Sequence, residues 1–218
     1  VGQQVALNAR TVAGQLHANG IGVVDAITGP VTQVSPATRT LQIMGQTVRA
    51  DAVTGINPAT LNVGDVARVS GHRAPNGDII ATRVDRASPS ASVLGTVTAV
   101  EANAISVNGT RVVLSAAPPL GVTVGSEVFV SGNWNGSAIQ ARRVDAQPVR
   151  NAIAGAERAI IEGIVRNRTT QELTVGGVTL RVGNDTRFSG GNAGDAAAGT
   201  RVQVEVRRNG DTWQAERV

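Results

Sequence analysis

The stretch "PNGDIIATRV" at residues 75–84 returns as "WNGSAIQARRV" at 134–144 and "RNGDTWQAERV" at 208–218, and more weakly as "ANGIGVV" at 18–24. Each copy places Asn-Gly ahead of apolar residues at strand spacing. The first three end in Ala-x-Arg-Val. Asn-Gly between apolar runs is a hairpin turn, because both residues tolerate the positive φ that short loops need. A turn that recurs with its flanking strand marks a repeated structural unit.

Working outward gives a unit of about 60 residues. It opens on Gly-x-Val-x-x-Val, as at Gly29 to Val34, Gly95 to Val100 and Gly163 onward. A first hairpin follows, in "TLQIMGQTVRA" (40–50), "AISVNGTRVVL" (104–114) and "ELTVGGVTLRV" (172–182), with turns expected at Gly45-Gln46, Asn108-Gly109 and Gly176-Gly177. After a loop come Val63-Gly64-Asp65, Val124-Gly125-Ser126 and Ala198-Gly199-Thr200, each leading into a fourth strand. The Asn-Gly hairpin and its Ala-x-Arg-Val strand close the unit.

Five short strands in so few residues bury their edges best by coiling into a small barrel. The expected fold class is therefore all-β, with three tandem five-stranded barrels of OB-like or SH3-like closure plus an N-terminal half unit. The expected divisions are a partial repeat at 1–28, barrels at 29–88, 89–148 and 159–218, and a linker at 149–158 with a brief helix over 151–158. Within 1–28, "VGQQVAL" matches the start of a fourth strand and "ANGIGVV" the closing hairpin. The spacing from Gly2 to Gly20 is 18, against 13, 11 and 11 from Gly64 to Gly77, Gly125 to Gly136 and Gly199 to Gly210. A rival reading makes "QQVALNARTVAGQL" a helix.

These motifs resemble the tandem repeats of a bacterial exported family known only as a domain of unknown function with a small OB-like barrel. The first unit matches best. The third departs where Ala198 precedes Gly199 and where Val206 replaces the Gly71 and Gly132 of its neighbours. The resemblance implies export to the periplasm or cell exterior and brings no catalytic residues.

Composition narrows the chemistry. The pI of 11.2 comes from a small excess of charge, +4, in a chain whose 20 basic residues are all Arg. The excess is also spread out: six Arg against four Asp over 29–88, three Arg against three acids over 89–148, eight Arg against seven acids over 159–218. A nucleic-acid binder concentrates basic charge on one face and stacks bases on several aromatics. With two Trp, two Phe and no Tyr, the chain argues against a nucleic-acid partner. Zero Cys removes disulfides and thiolate chemistry. No apolar run suits a membrane helix, so no membrane insertion is expected.

No catalytic, metal or cofactor motif emerges. His17 and His72 read as two solvated loop histidines. Asp65 and Asp78 fall where turns need them. "GGNAGDAAAG" (190–199) lacks the Lys of a phosphate loop and reads as a flexible connector. Trp213 aligns with Ile79 and Ile139 and belongs to a core. The candidate binding residues are Trp134, with Asn133 and Asn135 beside it, at a hairpin tip where other units carry Pro75 or Arg208. An aromatic there can stack on a sugar or enter a protein partner, or pack on its own barrel. The expected role is a non-enzymatic, exported structural or scaffold protein, self-assembling or bound to a protein partner. The alternative is a carbohydrate-binding module that takes a glycan at such tips.

Overall fold

The computed structural model describes residues 1–13 and 15–218, and for residues 7–12, 16 and 18–20 the backbone alone. It is all-β. The chain opens with β1 (Val5–Val12) and β2 (Gln15–Val23). The first complete unit holds β3 (Ile27–Ser35), β4 (Thr40–Ile43), β5 (Gln46–Arg49), β6 (Thr54–Gly55), β7 (Val66–Arg73) and β8 (Ile79–Arg86). The second holds β9 (Ala91–Val100), β10 (Ala104–Val107), β11 (Thr110–Val113), β12 (Glu127–Trp134) and β13 (Ile139–Ala146). A five-residue helix, α1 (Pro148–Ala152), precedes the third: β14 (Arg158–Arg168), β15 (Glu172–Val175), β16 (Val178–Arg181), β17 (Arg201–Asn209) and β18 (Thr212–Arg217). The helix thus sits three residues ahead of its expected start.

All three units close in one way. Their first strand pairs with the second and the second with the third; the third pairs in parallel with the fifth; the fifth returns to the fourth, and the fourth to the first. That cyclic order, 1-2-3-5-4-1, is the OB arrangement, and the short two-residue parallel contact between third and fifth strands completes it. The barrels containing β3, β9 and β14 are called A, B and C below. The chain divides into two compact units, Val1–His72 with Gly77–Pro148, which holds the N-terminal strands and nearly all of barrels A and B, and Arg73–Asn76 with Val149–Val218, which holds barrel C.

The register explains Ala-x-Arg-Val. Residues three apart on a strand face opposite sides, since side chains alternate. Yet Ala81 and Val84 are both buried, at 4% and 0% exposed. In barrel B, Ser131 pairs with Arg143 and Gly132 with Ala141, so Arg142 is an extra residue. In barrel C, Glu205 pairs with Arg217 and Val206 with Ala215, so Glu216 is extra. The "x" is a β-bulge, which restores the Ala and the Val to one face. A second bulge does the same in Gly-x-Val-x-x-Val: the register skips Thr32, Thr98 and Arg166. The third unit's Val206 leaves the bulge in place and faces the core, 1% exposed.

The first hairpins use two-residue loops with both residues at positive φ: Asn108-Gly109 at 46° and 88°, Gly176-Gly177 at 56° and 73°. In barrel A the loop is Met44-Gly45 (48° and 81°), one residue earlier than expected. Met44 accepts this strained backbone because its side chain is buried, with the sulfur lying over Gly29, where a Cβ would meet it at 2.6 Å. In the closing hairpins Gly77, Gly136 and Gly210 all have positive φ, as expected. Only the third is a two-residue loop; the first two are longer.

Barrels A and B are joined by strand pairing, Ile27 with Val93 and Thr28 with Ser92, and by a buried polar bridge between their first hairpins. Gln46 Nε2 donates to Val107 O (2.9 Å) and to Thr110 Oγ1 (2.7 Å), and Thr110 Oγ1 donates to Met44 O (2.8 Å). Gln46 and Thr110 are buried, and the apolar cores of A and B form one cluster. Barrel C has its own core around Leu173, Leu180, Val204 and Trp213, with Val149 and Ile153 packed on it.

The N-terminal segment is a two-stranded antiparallel sheet, not a helix. Its strands turn after Val12, which pairs with Gln15, with Ala13 at φ 51°, rather than at Asn19-Gly20. The register pairs Asn8 with Gly20 and Ala9 with Ala18, leaving Asn19 as the extra residue of a bulge. Residues 18–21, Ala-Asn-Gly-Ile, therefore correspond to Ala-x-Arg-Val and not to the turn. The sequence spacing from Gly2 to Gly14 is 12, in line with 13, 11 and 11.

Candidate functional site

The closing hairpin of barrel B carries the three candidate residues. β12 ends on Trp134, whose backbone pairs with Ile139, and a four-residue loop follows. Trp134 is half-buried and packs against the shared A–B core. Asn135 is exposed, but its Oδ1 accepts from Ser137 N (3.0 Å), Ser137 Oγ (3.1 Å) and Ala138 N (2.9 Å), so the side chain builds the turn. Asn133 is exposed on the strand beside Trp134. The three thus share one hairpin, with one ring partly spent on the core and one amide spent on the loop.

The histidines differ from their expectation. His72 is buried in β7, at 9% exposed, and His17 is exposed but lies within β2. Among the described residues no group of three or more His, Asp or Glu side chains is arranged to hold a metal ion. Nor is any helix there long and apolar enough to cross a membrane. The 190–199 loop contains a short 3-10 turn (Ala193–Asp195), held by Asn192 N donating to Asp195 Oδ2 at 2.7 Å. Trp213 is a core residue, 6% exposed.

Two grooves open at barrel ends. One, of about 450 Å³, lies in barrel C between Phe188 and Asp195 on the loop and Arg201, Glu205 and Arg217 on strands. The other, of about 530 Å³, lies in barrel A under Pro36, Arg39, Val53 and Ile56. Arg201 pairs with Glu162 and Arg217 with Glu205. In the A groove, Arg39 reaches the Asp51 carbonyl.

Among the described residues, arginines along all three barrels pair with carboxylates, as Arg83 does with Asp85, Arg111 with Glu101 and Arg207 with Glu216. The fork between Arg111 and Glu101, at 2.7 and 2.9 Å, holds that carboxyl below its ordinary value. Asp65 is lowered too, first by the Asn62 N–H and then by Arg86, which confirms its part in a turn. Asp25 behaves differently. Burial raises its carboxyl above the ordinary aspartate value, against the Ser70 hydroxyl bond (3.2 Å) and the charge of Arg68, with Asp85 adding to the rise.

The fold and its repeats define a tandem array of OB-like barrels. The chain belongs to the family described as Domain of unknown function (DUF5666), whose model matches residues 28–85, 95–145 and 162–218. No curated protein matches the chain. Among solved structures, it is similar to one described as a multidomain protein with nucleic acid binding domains from Streptococcus pneumoniae. Identity is 14%, over 86% of this chain and 71% of that one, with a TM-score of 0.23. A likeness that slight carries no argument.

The sequence reading missed the Gln46–Thr110 bridge. A signal was available: Gln46 and Thr110 stand where the third unit has Val178, a position that starts an inward-facing strand row.

Proposed function

We propose that this chain is a non-enzymatic structural or scaffold protein, exported to the periplasm or cell exterior, that serves as a subunit of an envelope or extracellular assembly. The observation behind this is the coupling of barrels A and B. Flexibly linked binding modules keep each barrel separate. Here strand pairing and a buried polar bridge make two barrels one body, which suits a load-bearing or spacing element. Export rests on the family resemblance. The test is fractionation of native extracts followed by light scattering and electron microscopy. Particles larger than one chain, in the envelope or medium, are expected. A monomer confined to the cytoplasm would overturn the proposal.

Glycan binding at Trp134 is the second reading. It rests on the exposed part of the ring and on Asn133. Trp134→Ala should then abolish retention on a glycan array while leaving the fold intact; equal retention eliminates it.

A further inference from the structure

The β1–β2 hairpin follows the pattern of a barrel's fourth and fifth strands, yet its described apolar residues on the inward face are exposed. In every complete unit, the residues three and five beyond the Val-Gly glycine face the barrel interior. They are Ala67 and Val69, Val128 and Val130, and Val202 and Val204, all buried or packed on a core. Counting from Gly2, the same positions are Val5 and Leu7. The bulge also matches: it lies between the sixth and seventh residues past the glycine at Asn8/Ala9, Ser131/Gly132 and Glu205/Val206. Val5 pairs with Val23, and Ile21 lies two residues before Val23 on β2, so Val5, Ile21 and Val23 share one face. Yet Val5 is 51%, Ile21 68% and Val23 50% exposed. The equivalents of Ile21 in the barrels, Val84, Val144 and Val218, are buried or half-buried against cores. Among the described residues, neither β1 nor β2 pairs with any other strand.

We infer that this hairpin is a docking site for a three-stranded β-meander of the family's own pattern. That pattern is a Gly-x-Val-x-x-Val strand followed by a hairpin with a two-residue loop. The occupant follows from an interface this chain already makes three times. In each barrel the first strand of a meander pairs antiparallel with the fourth strand, and the third pairs parallel with the fifth. The hairpin offers both edges and the apolar row between them. Seating a meander satisfies the open N–H and C=O groups and covers Val5, Ile21 and Val23 together. This inference stands on topology and is independent of the scaffold role; a chain that is monomeric in extracts would contradict that role and leave the docking site untouched.

The experiment extends the chain by placing residues 91–123, the meander of barrel B with its connector, directly before Val1. This reproduces the natural spacing to the Val-Gly signal. Hydrogen exchange of the amides in β1 and β2 should slow by about a hundredfold relative to the unextended chain, and thiol labelling of a Val5→Cys variant should slow in step. Ile21→Asp in the extended chain should reverse both while barrels A and B keep their protection. In a second arm the same 91–123 peptide is added separately; protection there supports docking in trans. Unchanged exchange in the extended chain overturns the inference. So does equal protection in the unextended chain that rises with its concentration, because the occupant is then a second copy.

Discussion

The same end of the same barrel is covered in two ways in this molecule. In barrels A and B the first hairpins, through Met44 and Gln46 on one side and Val107 and Thr110 on the other, meet across a polar bridge. In barrel C the corresponding tip is Gly176-Gly177 followed by Val178, and the cover is apolar. Val149 lies about 4.0 Å from where a Gly176 Cβ would stand, and Ile153 packs on the same core. A helix of five residues does for C what a whole barrel does for A. The difference lies in directionality. Apolar cover is tolerant of small shifts, whereas hydrogen bonds between buried groups accept one geometry and penalise others. The polar bridge therefore selects one register between two barrels, and the apolar cap only seals.

The largest effect is expected from putting the polar solution where the apolar one belongs. Val178 is buried, at 3% exposed. Val178→Gln places an amide in the apolar core of barrel C, on which Val149 and Ile153 pack. It should destabilise barrel C by about 3 kcal/mol, read by chemical denaturation, with barrels A and B unaffected. A loss below about 1 kcal/mol would mean that the cap is loose enough to admit water.

The reverse exchange comes next. Gln46→Val removes the donor to Val107 O and Thr110 Oγ1 but keeps apolar bulk. It should cost about 1–2 kcal/mol, felt in A and B together. A neutral result would show that the bridge adds nothing beyond packing.

Much of this architecture was legible in the sequence. The repeated Val-Gly and Asn-Gly signals, at 11–13 residues apart, gave three five-stranded units because turn chemistry is local. Strand order was not legible, since it depends on pairings between distant segments such as β5 with β8. The misplaced N-terminal turn has a physical cause. Asn-Gly suits a turn, but at 19–20 it occupies a bulge, another place that relaxes the usual backbone limits. For Trp134 the sequence leaves open a partner contact or packing on its own barrel, because a hairpin tip can face either way. What put its ring against the core was the pairing of Trp134 with buried Ile139, a tertiary fact. His72 reads as a loop residue because it follows the Val-Ala-Arg-Val-Ser-Gly motif, but β7 runs on past Gly71 to Arg73.

A smaller effect isolates backbone from packing at the closing hairpins. Gly136 has φ 101° and open space where a Cβ would go. Gly136→Val should therefore cost about 1 kcal/mol through backbone strain alone. An unchanged denaturation midpoint for this variant would count against the turn geometry.

The smallest concerns pH. Because Asp25 is raised by burial in the folded state, the fold binds its proton more tightly than the unfolded chain does. Its ionised form is destabilising above the raised value, and that penalty is relieved as pH falls through it. Asp65 and Glu101 have the opposite sign: their contribution holds above the unfolded-state value and is lost as pH falls through their lowered ones. Asp25→Asn should flatten the stability profile just above the ordinary aspartate range and leave the acid limb. An identical profile for the variant would mean that Asp25 is solvated.

The account turns on barrels A and B being one cooperative body locked by the Gln46–Thr110 bridge. Native-state hydrogen exchange of the full chain addresses it most directly. Amides of β4–β5 and of β10–β11 should open with one shared free energy in the wild type, and Gln46→Val should lower both together. Two different opening energies in the wild type, with Gln46→Val changing barrel A alone, would contradict it.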